Sequence, residues 1–248
     1  MTASAVSLAL LATACGSEDK KDDAKKDTPP SAAAPAAPAA KGKTDAELAP
    51  LLITQVEAPK DHIVKPPSAT EVTAASATAD KAECAPLVQA QSMMPVGKPA
   101  GIARTQVVGT SGNAAGPGAS AEDKAKAGLG MLAGATKTTV TLMSYDGKGA
   151  EEAFASVKAA GTSCAGGFSV TQSGEAVKVN GVAPGAAVTG GDEAASFVVD
   201  LGDAELPVHS QLVVVRKGNT VAAFHALNLG GKTEQPKAVI EAQAKKLG

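Results

Sequence analysis

Two apolar strands joined by a two-residue turn constrain the fold more than any other part of this sequence. In the stretch QLVVVRKGNTVAAFHAL, at residues 211–227, the pair Gly218-Asn219 separates two runs rich in apolar residues, which predicts a β-hairpin. Both faces of this hairpin are apolar, so we expect it to lie in the middle of a sheet that is covered on both sides. The turn sets the register, which pairs Arg216 with Val221, Val215 with Ala222, Val214 with Ala223 and Val213 with Phe224.

The other periodic segments predict a sheet flanked by helices. Short runs rich in apolar and β-branched residues predict strands, and segments with a 3.6-residue apolar period predict helices. The predicted strands are at 102–109, 136–145, 168–172, 176–182 and 195–201, and the predicted helices are at 45–56, 82–94, 148–161 and 232–247. Together they predict an α+β fold, with a central, mainly antiparallel β-sheet and helices packed on both faces.

The helix predicted at 148–161 has the clearest pattern of the four. Its apolar face consists of Ala150, Ala153, Phe154, Val157 and Ala160. Gly161 follows this face directly. Because glycine commonly ends helices, we expect the helix to stop at Gly161.

The N-terminal segment resembles an export signal that ends at a cysteine. Residues 3–14 carry no charge and are too few to span a bilayer, which suits the hydrophobic region of a signal peptide. The LATA stretch before Cys15 resembles the lipobox of bacterial lipoproteins, in which a peptidase cleaves before a lipid-modified cysteine. We therefore predict a signal peptide at 1–14 and a lipid anchor, with palmitate-type acyl chains, on Cys15. No Lys or Arg precedes the apolar run, so we expect the start codon to lie upstream; an ordinary cysteine on an N-terminal helix is the alternative.

A polar and proline-rich segment follows Cys15. Nine of the ten residues at 18–27 are charged, and residues 29–43 consist mainly of Pro and Ala. Such a composition buries too little apolar surface to order itself, which predicts a disordered linker at 15–43. A linker of this length would reach roughly 30 Å and hold a folded domain, predicted at 44–248, away from a membrane surface.

Cys84 and Cys164 are the two cysteines that remain once Cys15 is assigned to lipid. In an oxidising compartment outside the cytoplasm such a pair is expected to form a disulfide, here between the start of one predicted helix and the segment just after another. A redox-active pair would favour closely spaced cysteines, and metal ligation would need further ligands; both alternatives are weaker than a structural disulfide.

Composition and motifs argue against nucleic-acid binding and catalysis. The net charge is −2 and aromatic residues make up 2% of the chain, so the sequence offers neither a basic surface nor stacking platforms for bases. An SxxK pattern at 17–20 falls in the charged linker, and a GxGxxA pattern at 128–133 does not follow a predicted strand. The GKT stretch at 231–233 lacks the first glycine of a phosphate-binding loop.

The remaining polar residues form no recognisable site. The three histidines have no metal-ligand spacing, and His225, opposite Leu212 in the hairpin, is expected to be a hydrogen-bonded or surface residue. Two acidic pairs lie beside glycines, as in ordinary turns. The histidines are His62, His209 and His225, and the acidic pairs are Asp192-Glu193 and Asp203-Glu205. We therefore expect no catalytic residues, no metal site and no cofactor, and the sequence leaves any ligand-binding residues unassigned.

The order of several features resembles a known family of sensor domains. These features are Leu51-Leu52, Cys84, the strand–helix block that ends at Cys164, the GDEA stretch at 191–194 and the hairpin at 213–224. The segment from about residue 48 to 248 is similar to PknH-like extracytoplasmic sensor domains of actinobacterial receptor kinases and related lipoproteins. The resemblance implies a central antiparallel sheet between helices and a cleft for an unidentified ligand. The kinase members have two disulfides, whereas this chain can form one.

Together these features predict an extracytoplasmic lipoprotein anchored to the cell membrane by its N-terminal lipid. Its sensor-like domain would bind a small molecule or a component of the cell envelope. A non-catalytic protein-interaction module of the envelope is the alternative, and a hydrolase is a weaker one.

Overall fold

The structure is a computed structural model, and it describes residues 40–74, 76–109, 120–122, 135–202, 208–228 and 233–248. The strands are β1 (His62–Lys65), β2 (Ala77–Ala79), β3 (Gly101–Gly109), β4 (Thr136–Ser144), β5 (Phe168–Gln172), β6 (Glu175–Val179), β7 (Gly181–Pro184), β8 (Glu193–Asp200), β9 (His209–Lys217) and β10 (Thr220–Leu227). The helices are α1 (Asp45–Leu48), α2 (Ala69–Ala74), α3 (Ala85–Gln91), α4 (Gly149–Ser163) and α5 (Lys237–Leu247), with short 3₁₀ turns at Ala49–Leu51 and Ala82–Cys84.

The predicted hairpin lies near the centre of a seven-stranded sheet. The strand order is β1-β3-β4-β10-β9-β8-β7, and every neighbouring pair is antiparallel. Strands β9 and β10 pair in the predicted register, with Val215 opposite Ala222 and Val213 opposite Phe224. The α+β fold predicted from the sequence is therefore confirmed, together with the central position of the hairpin.

A second, three-stranded sheet has the order β2-β5-β6 and is also antiparallel. The sequence predicted one strand at 176–182, but the structure divides this segment at Asn180. Before Asn180 the chain pairs with β5 in the small sheet, and after it the chain pairs with β8 in the large sheet. The apolar pattern continues through the change of partner, so periodicity alone did not reveal it.

The large sheet is covered on both faces, as both apolar faces of the hairpin require. On one face the core combines α3, α4 and the small sheet with the side chains of Met143, Val214 and Ala223. On the other face, α1 and α5 pack against Leu142 and Phe224. Alternate residues of the central strands thus enter two separate cores.

Helix α4 has the predicted buried face but continues past its predicted end. Phe154 and Val157 are nearly inaccessible to solvent, and the helix ends at Ser163. Gly161 lies inside the helix, at a position that faces the ring of Phe197. A Cβ atom at Gly161 would lie 2.0 Å from Cε1 of that ring, so only glycine allows α4 to pack this closely against β8.

The other helices are shorter than predicted. The segment predicted at 45–56 gives α1 and a single 3₁₀ turn that contains Pro50. The segment predicted at 82–94 ends its α-helix at Gln91, because Met93 adopts a left-handed conformation with φ of 55°. The Met94 N–H then donates to the Gln89 carbonyl at 2.9 Å, as in a helix-terminating Schellman motif.

The first described residues are bonded to the ends of the central strands. The Gly42 N–H donates to Oδ1 of Asp146 at 2.8 Å, and Nδ2 of Asn219 donates to the Lys41 carbonyl at 2.7 Å. The last four residues of the predicted linker, 40–43, therefore pack on the domain. The remainder of the linker and the predicted signal peptide lie outside the described residues.

Candidate ligand-binding cavity

Cys84 and Cys164 form a disulfide, with their Cα atoms 5.9 Å apart. Cys84 immediately precedes α3 and Cys164 immediately follows α4, so the bond joins two helices on one face of the large sheet. Both cysteines are buried in the core of that face. This predicted bond is confirmed, whereas Cys15, the predicted lipid site, lies outside the described residues.

A cavity of about 370 Å³ opens beside the C-terminal end of α3. It lies between the large sheet and the small sheet, on the face that carries the disulfide. Its size falls within the range of small-molecule sites. The residues that line it are Glu71, Val88, Gln91, Ser92, Met93, Lys137, Thr139, Val170, Gln172, Val177, Val179, Leu201, His225 and Leu227.

Much of the cavity wall is aliphatic. The small sheet contributes Val170, Val177 and Val179, and the opposite side includes Leu227 of β10 and Met93 after α3. Val177 is 46% exposed, which is unusual for a large apolar side chain in a strand and places it at an open part of the wall. Such a surface would favour an apolar body in any molecule that entered the cavity.

A row of three polar side chains crosses the large sheet at the other side of the cavity. Gln106 on β3 is directly opposite Thr139 on β4, and Thr139 is directly opposite His225 on β10. Residues paired in this way project from the same face of a sheet. Thr139 and His225 line the cavity, and Gln106 is fully buried beside them.

Glu71 is fixed at the edge of this polar row. Its Oε1 accepts hydrogen bonds from Nε2 of Gln106 at 2.9 Å and from Nζ of Lys137 at 3.3 Å. Its Oε2 accepts bonds from the N–H and the hydroxyl of Ser68. The bond from Gln106 is the main cause that lowers the pKa of Glu71 to about 2, so this carboxylate is ionised and already well occupied by donors.

His225 is the least satisfied side chain in the cavity wall. Its Nε2 atom is buried and has no hydrogen-bond partner; the same holds for Oε1 of Gln106. Burial, with a smaller contribution from the charge of Lys137, lowers the pKa of His225 to about 4, so its imidazole is neutral at pH 7. A buried polar atom without a partner costs free energy, so the polar part of the cavity wall is incompletely hydrogen-bonded at His225.

His225 is not recognisable as a site residue from the sequence, which predicts a hydrogen-bonded or surface histidine. The structure instead places the ring in the cavity wall with one nitrogen unpaired. The hairpin register did contain a signal, because it put a polar residue in line with the buried Val221 and Ala223. The residues that line the cavity beside the ring come from α3 and β4. The sequence of the hairpin does not specify these neighbours.

The other candidate residues that the structure describes do not line the cavity. Nδ1 of His62 is 3.0 Å from the Lys60 carbonyl, and His209 is 3.7 Å from the carboxylate of Asp200. Asp192 accepts a hydrogen bond from the Gly218 N–H at 2.7 Å, which fastens the hairpin turn. Glu193 forms an ion pair with Arg216 on the adjacent strand, while Asp203 and Glu205 lie outside the described residues.

The described ranges offer neither a metal site nor a membrane-spanning helix. Those ranges contain no cluster of three or more potential metal-ligating side chains. They also contain no helix of the length and apolar character needed to cross a membrane.

A comparison with solved structures finds a protein of similar fold. Neither a protein-family model nor a curated protein matches the sequence. The chain is similar in structure to the crystal structure of the extracellular domain of PknH from Mycobacterium tuberculosis, with a TM-score of 0.50 and 15% sequence identity. The match covers 84% of this chain and 97% of that chain. At this identity the likeness shows a shared fold, in agreement with the resemblance found in the sequence.

Proposed function

We propose that this protein is an extracytoplasmic, lipid-anchored receptor domain that binds a small molecule in the cavity beside α3. The single observation that carries this proposal is the cavity itself, which combines an aliphatic wall with the unpaired Nε2 of His225. Small-molecule sites typically have this composition, in which a few placed polar groups orient a largely apolar ligand.

Three features support an extracytoplasmic location. The disulfide between Cys84 and Cys164 is of a kind that persists in oxidising compartments. The sequence before Cys15 resembles a lipobox, which would place the mature chain on the outer face of the cell membrane. The fold shared with an extracellular domain is consistent with this location.

The cavity supports binding better than catalysis. Glu71 is its carboxylate, and with a pKa of about 2 it is a weak base at neutral pH. Its oxygens already accept bonds from Gln106, Ser68 and Lys137, so a proton transfer would have to break an existing network. We therefore assign the domain no enzymatic activity.

Filling the cavity provides a direct test. Val177→Trp introduces a bulky ring at an exposed position of the cavity wall, and Val56→Trp is the matched control, because Val56 is 93% exposed and does not line the cavity. Small molecules that copurify with each protein would be extracted and measured by mass spectrometry. We expect the wild type and Val56→Trp to retain a common molecule that Val177→Trp loses. Equal retention by all three proteins, or no retained molecule in any, would overturn the proposal.

A further inference from the structure

We propose that the outer edge of β1 is a surface through which two copies of this chain can associate, and that the side chain of Gln55 keeps this surface closed. The proposal concerns one edge of the large sheet and does not depend on the cavity. The occupant of the open edge is a second copy of the same chain, whose β1 runs antiparallel to the first.

Strand β1 lies at one end of the seven-stranded sheet, and in the part of the chain that the structure describes it pairs with β3 alone. The N–H and C=O of one strand residue point to the same side, and successive residues alternate between the two sides. His62 and Val64 direct these groups away from β3, since both residues bond to Gln55 in the loop before β1. An edge of this kind is a template on which another chain can pair.

The amide of Gln55 occupies this edge in the manner of a neighbouring strand. Its Nε2 donates to the His62 carbonyl at 2.8 Å, and its Oε1 accepts from the Val64 N–H at 2.9 Å. Because a carbonyl only accepts and an N–H only donates, the two contacts agree on the orientation of the amide. A residue of a paired strand likewise offers its neighbour one donor and one acceptor. Gln55 therefore takes the place of a strand at the outer edge of β1.

Contacts with α5 hold the capping loop, residues 54–57, beside β1. The amide of Gln243, which is fully buried, accepts a hydrogen bond from the Ile53 N–H at 2.8 Å. At the other end of the loop, Nζ of Lys246 donates to the carboxylate of Glu57 at 2.9 Å. The loop is thus fixed on both sides of the capping residue, so the cap is a built part of the fold.

The outer edge of β1 is complementary to itself. In an antiparallel pair centred on Ile63, His62 of each copy lies opposite Val64 of the other, and these residues exchange backbone hydrogen bonds. Ile63 then lies opposite its own counterpart, at a position where paired side chains approach closely. Its side chain is 52% exposed in the capped chain, so this contact would bury apolar surface from both copies.

The charges at the two ends of β1 favour the same alignment. Asp61 precedes the strand and Lys65 is its last residue, and both are exposed. In the antiparallel pair each Lys65 lies near Asp61 of the other copy, so that opposite charges meet at both ends. A parallel pair in register would instead place like charges side by side. The charge pattern therefore fits a symmetric pair of identical chains.

The test measures self-association of the full chain by sedimentation equilibrium, with the disulfide intact and with Cys15→Ala to remove the predicted lipid site. Association of capped chains breaks two bonds of Gln55 in each copy, four in all. At the low end of the usual contribution of a hydrogen bond, their prior removal by Gln55→Ala should lower the dissociation constant about thirtyfold. Gln55→Met, which keeps the length of the side chain without the amide, should have the same effect.

Further substitutions locate the surface and its register. In the Gln55→Ala background, Ile63→Lys places like charges opposite each other and should abolish the association. Val177→Lys is the matched control and should not, because Val177 is similarly exposed, at 46%, but belongs to the small sheet. Ile63→Cys should form a disulfide between two copies, since the Cα atoms of such a pair are about 4.5 Å apart, whereas Lys65→Cys should not.

Three results would overturn the proposal. The first is a dissociation constant that neither Gln55→Ala nor Gln55→Met lowers, and the use of both variants decides the question even if one of them does not fold. The second is association that persists with Ile63→Lys, because it would come from another surface. The third is equal cross-linking through Ile63→Cys with and without Gln55, which would mean that the edge is already open. None of these results affects the proposed function of the cavity.

Discussion

Replacing Gly161 by alanine should destabilise the domain, although alanine is the better helix former. In the interior of a helix, Ala is favoured over Gly by about 1 kcal/mol. Against this gain, a Cβ at Gly161 would lie 2.0 Å from Cε1 of Phe197 and 2.6 Å from both Cδ1 and Cζ. Carbon atoms do not approach this closely, so the ring or the helix must move.

The size of this destabilisation depends on how little room the ring of Phe197 has to move. Phe197 is 8% exposed and packs in the core that also contains α4, so its ring cannot withdraw without disturbing that core. Overpacking of this kind costs about 1–3 kcal/mol. Since three ring atoms are involved, we expect a cost near the upper end, which outweighs the helix propensity and leaves a net loss of about 1–2 kcal/mol.

Urea unfolding of the disulfide-bonded protein measures this loss. Thr162→Ala is the matched control, because Thr162 is the next residue of the same helix and is exposed. The control should have an unchanged or slightly higher midpoint, whereas Gly161→Ala should have a lower one. Introducing Phe197→Leu in both backgrounds should reduce the cost of Gly161→Ala. If Gly161→Ala instead raises stability by about 1 kcal/mol, the close packing of α4 on β8 is refuted.

Three further predictions concern the disulfide, His225 and the N-terminus. Changing Cys84 and Cys164 to serine should lower the free energy of unfolding by about 2–5 kcal/mol, since the closed loop spans 80 residues; an unchanged urea midpoint would contradict a structural role. The pKa of His225 is lowered from 6.5 to about 4, so unfolding takes up a proton in this range and stability should decrease as the pH falls from about 6.5 towards 4. His225→Phe should remove part of this slope in denaturant titrations; equal slopes for the wild type and the variant would refute the assignment. Cys15→Ala should move the protein from the membrane fraction to the soluble fraction, and continued detergent-dependent membrane retention would exclude a lipid anchor.

The parts of the fold that were predictable from the sequence depend on local rules. The Gly218-Asn219 turn fixes the register of the hairpin, because a two-residue loop leaves one pairing available. The buried face of α4 is also a local feature. The 3.6-residue period of its apolar residues determines which side chains point in the same direction. These features require no knowledge of distant segments.

The parts that could not be predicted depend on contacts between distant segments. In the sequence, Gly161 looks like the end of a helix. Only the position of Phe197 on β8 explains why a glycine occurs inside the helix. The cavity is a similar case. Gln106, Thr139 and His225 are far apart in sequence, and the sheet register brings them together. Each of them alone is compatible with an ordinary strand, so no local pattern marks the site.

The contacts of residues 40–43 also place the start of the described domain far from the cavity. Lys41 is bonded to Asn219 at the hairpin turn, whereas the cavity lies beside Leu227 at the opposite end of β10. At about 3.4 Å per residue, β10 separates these two ends by about 24 Å. If the proposed lipid anchor on Cys15 holds the protein at a membrane, the domain would be attached at the end of the sheet that is far from the cavity. A molecule that enters the proposed site would then reach it at the end of the domain opposite the point of attachment.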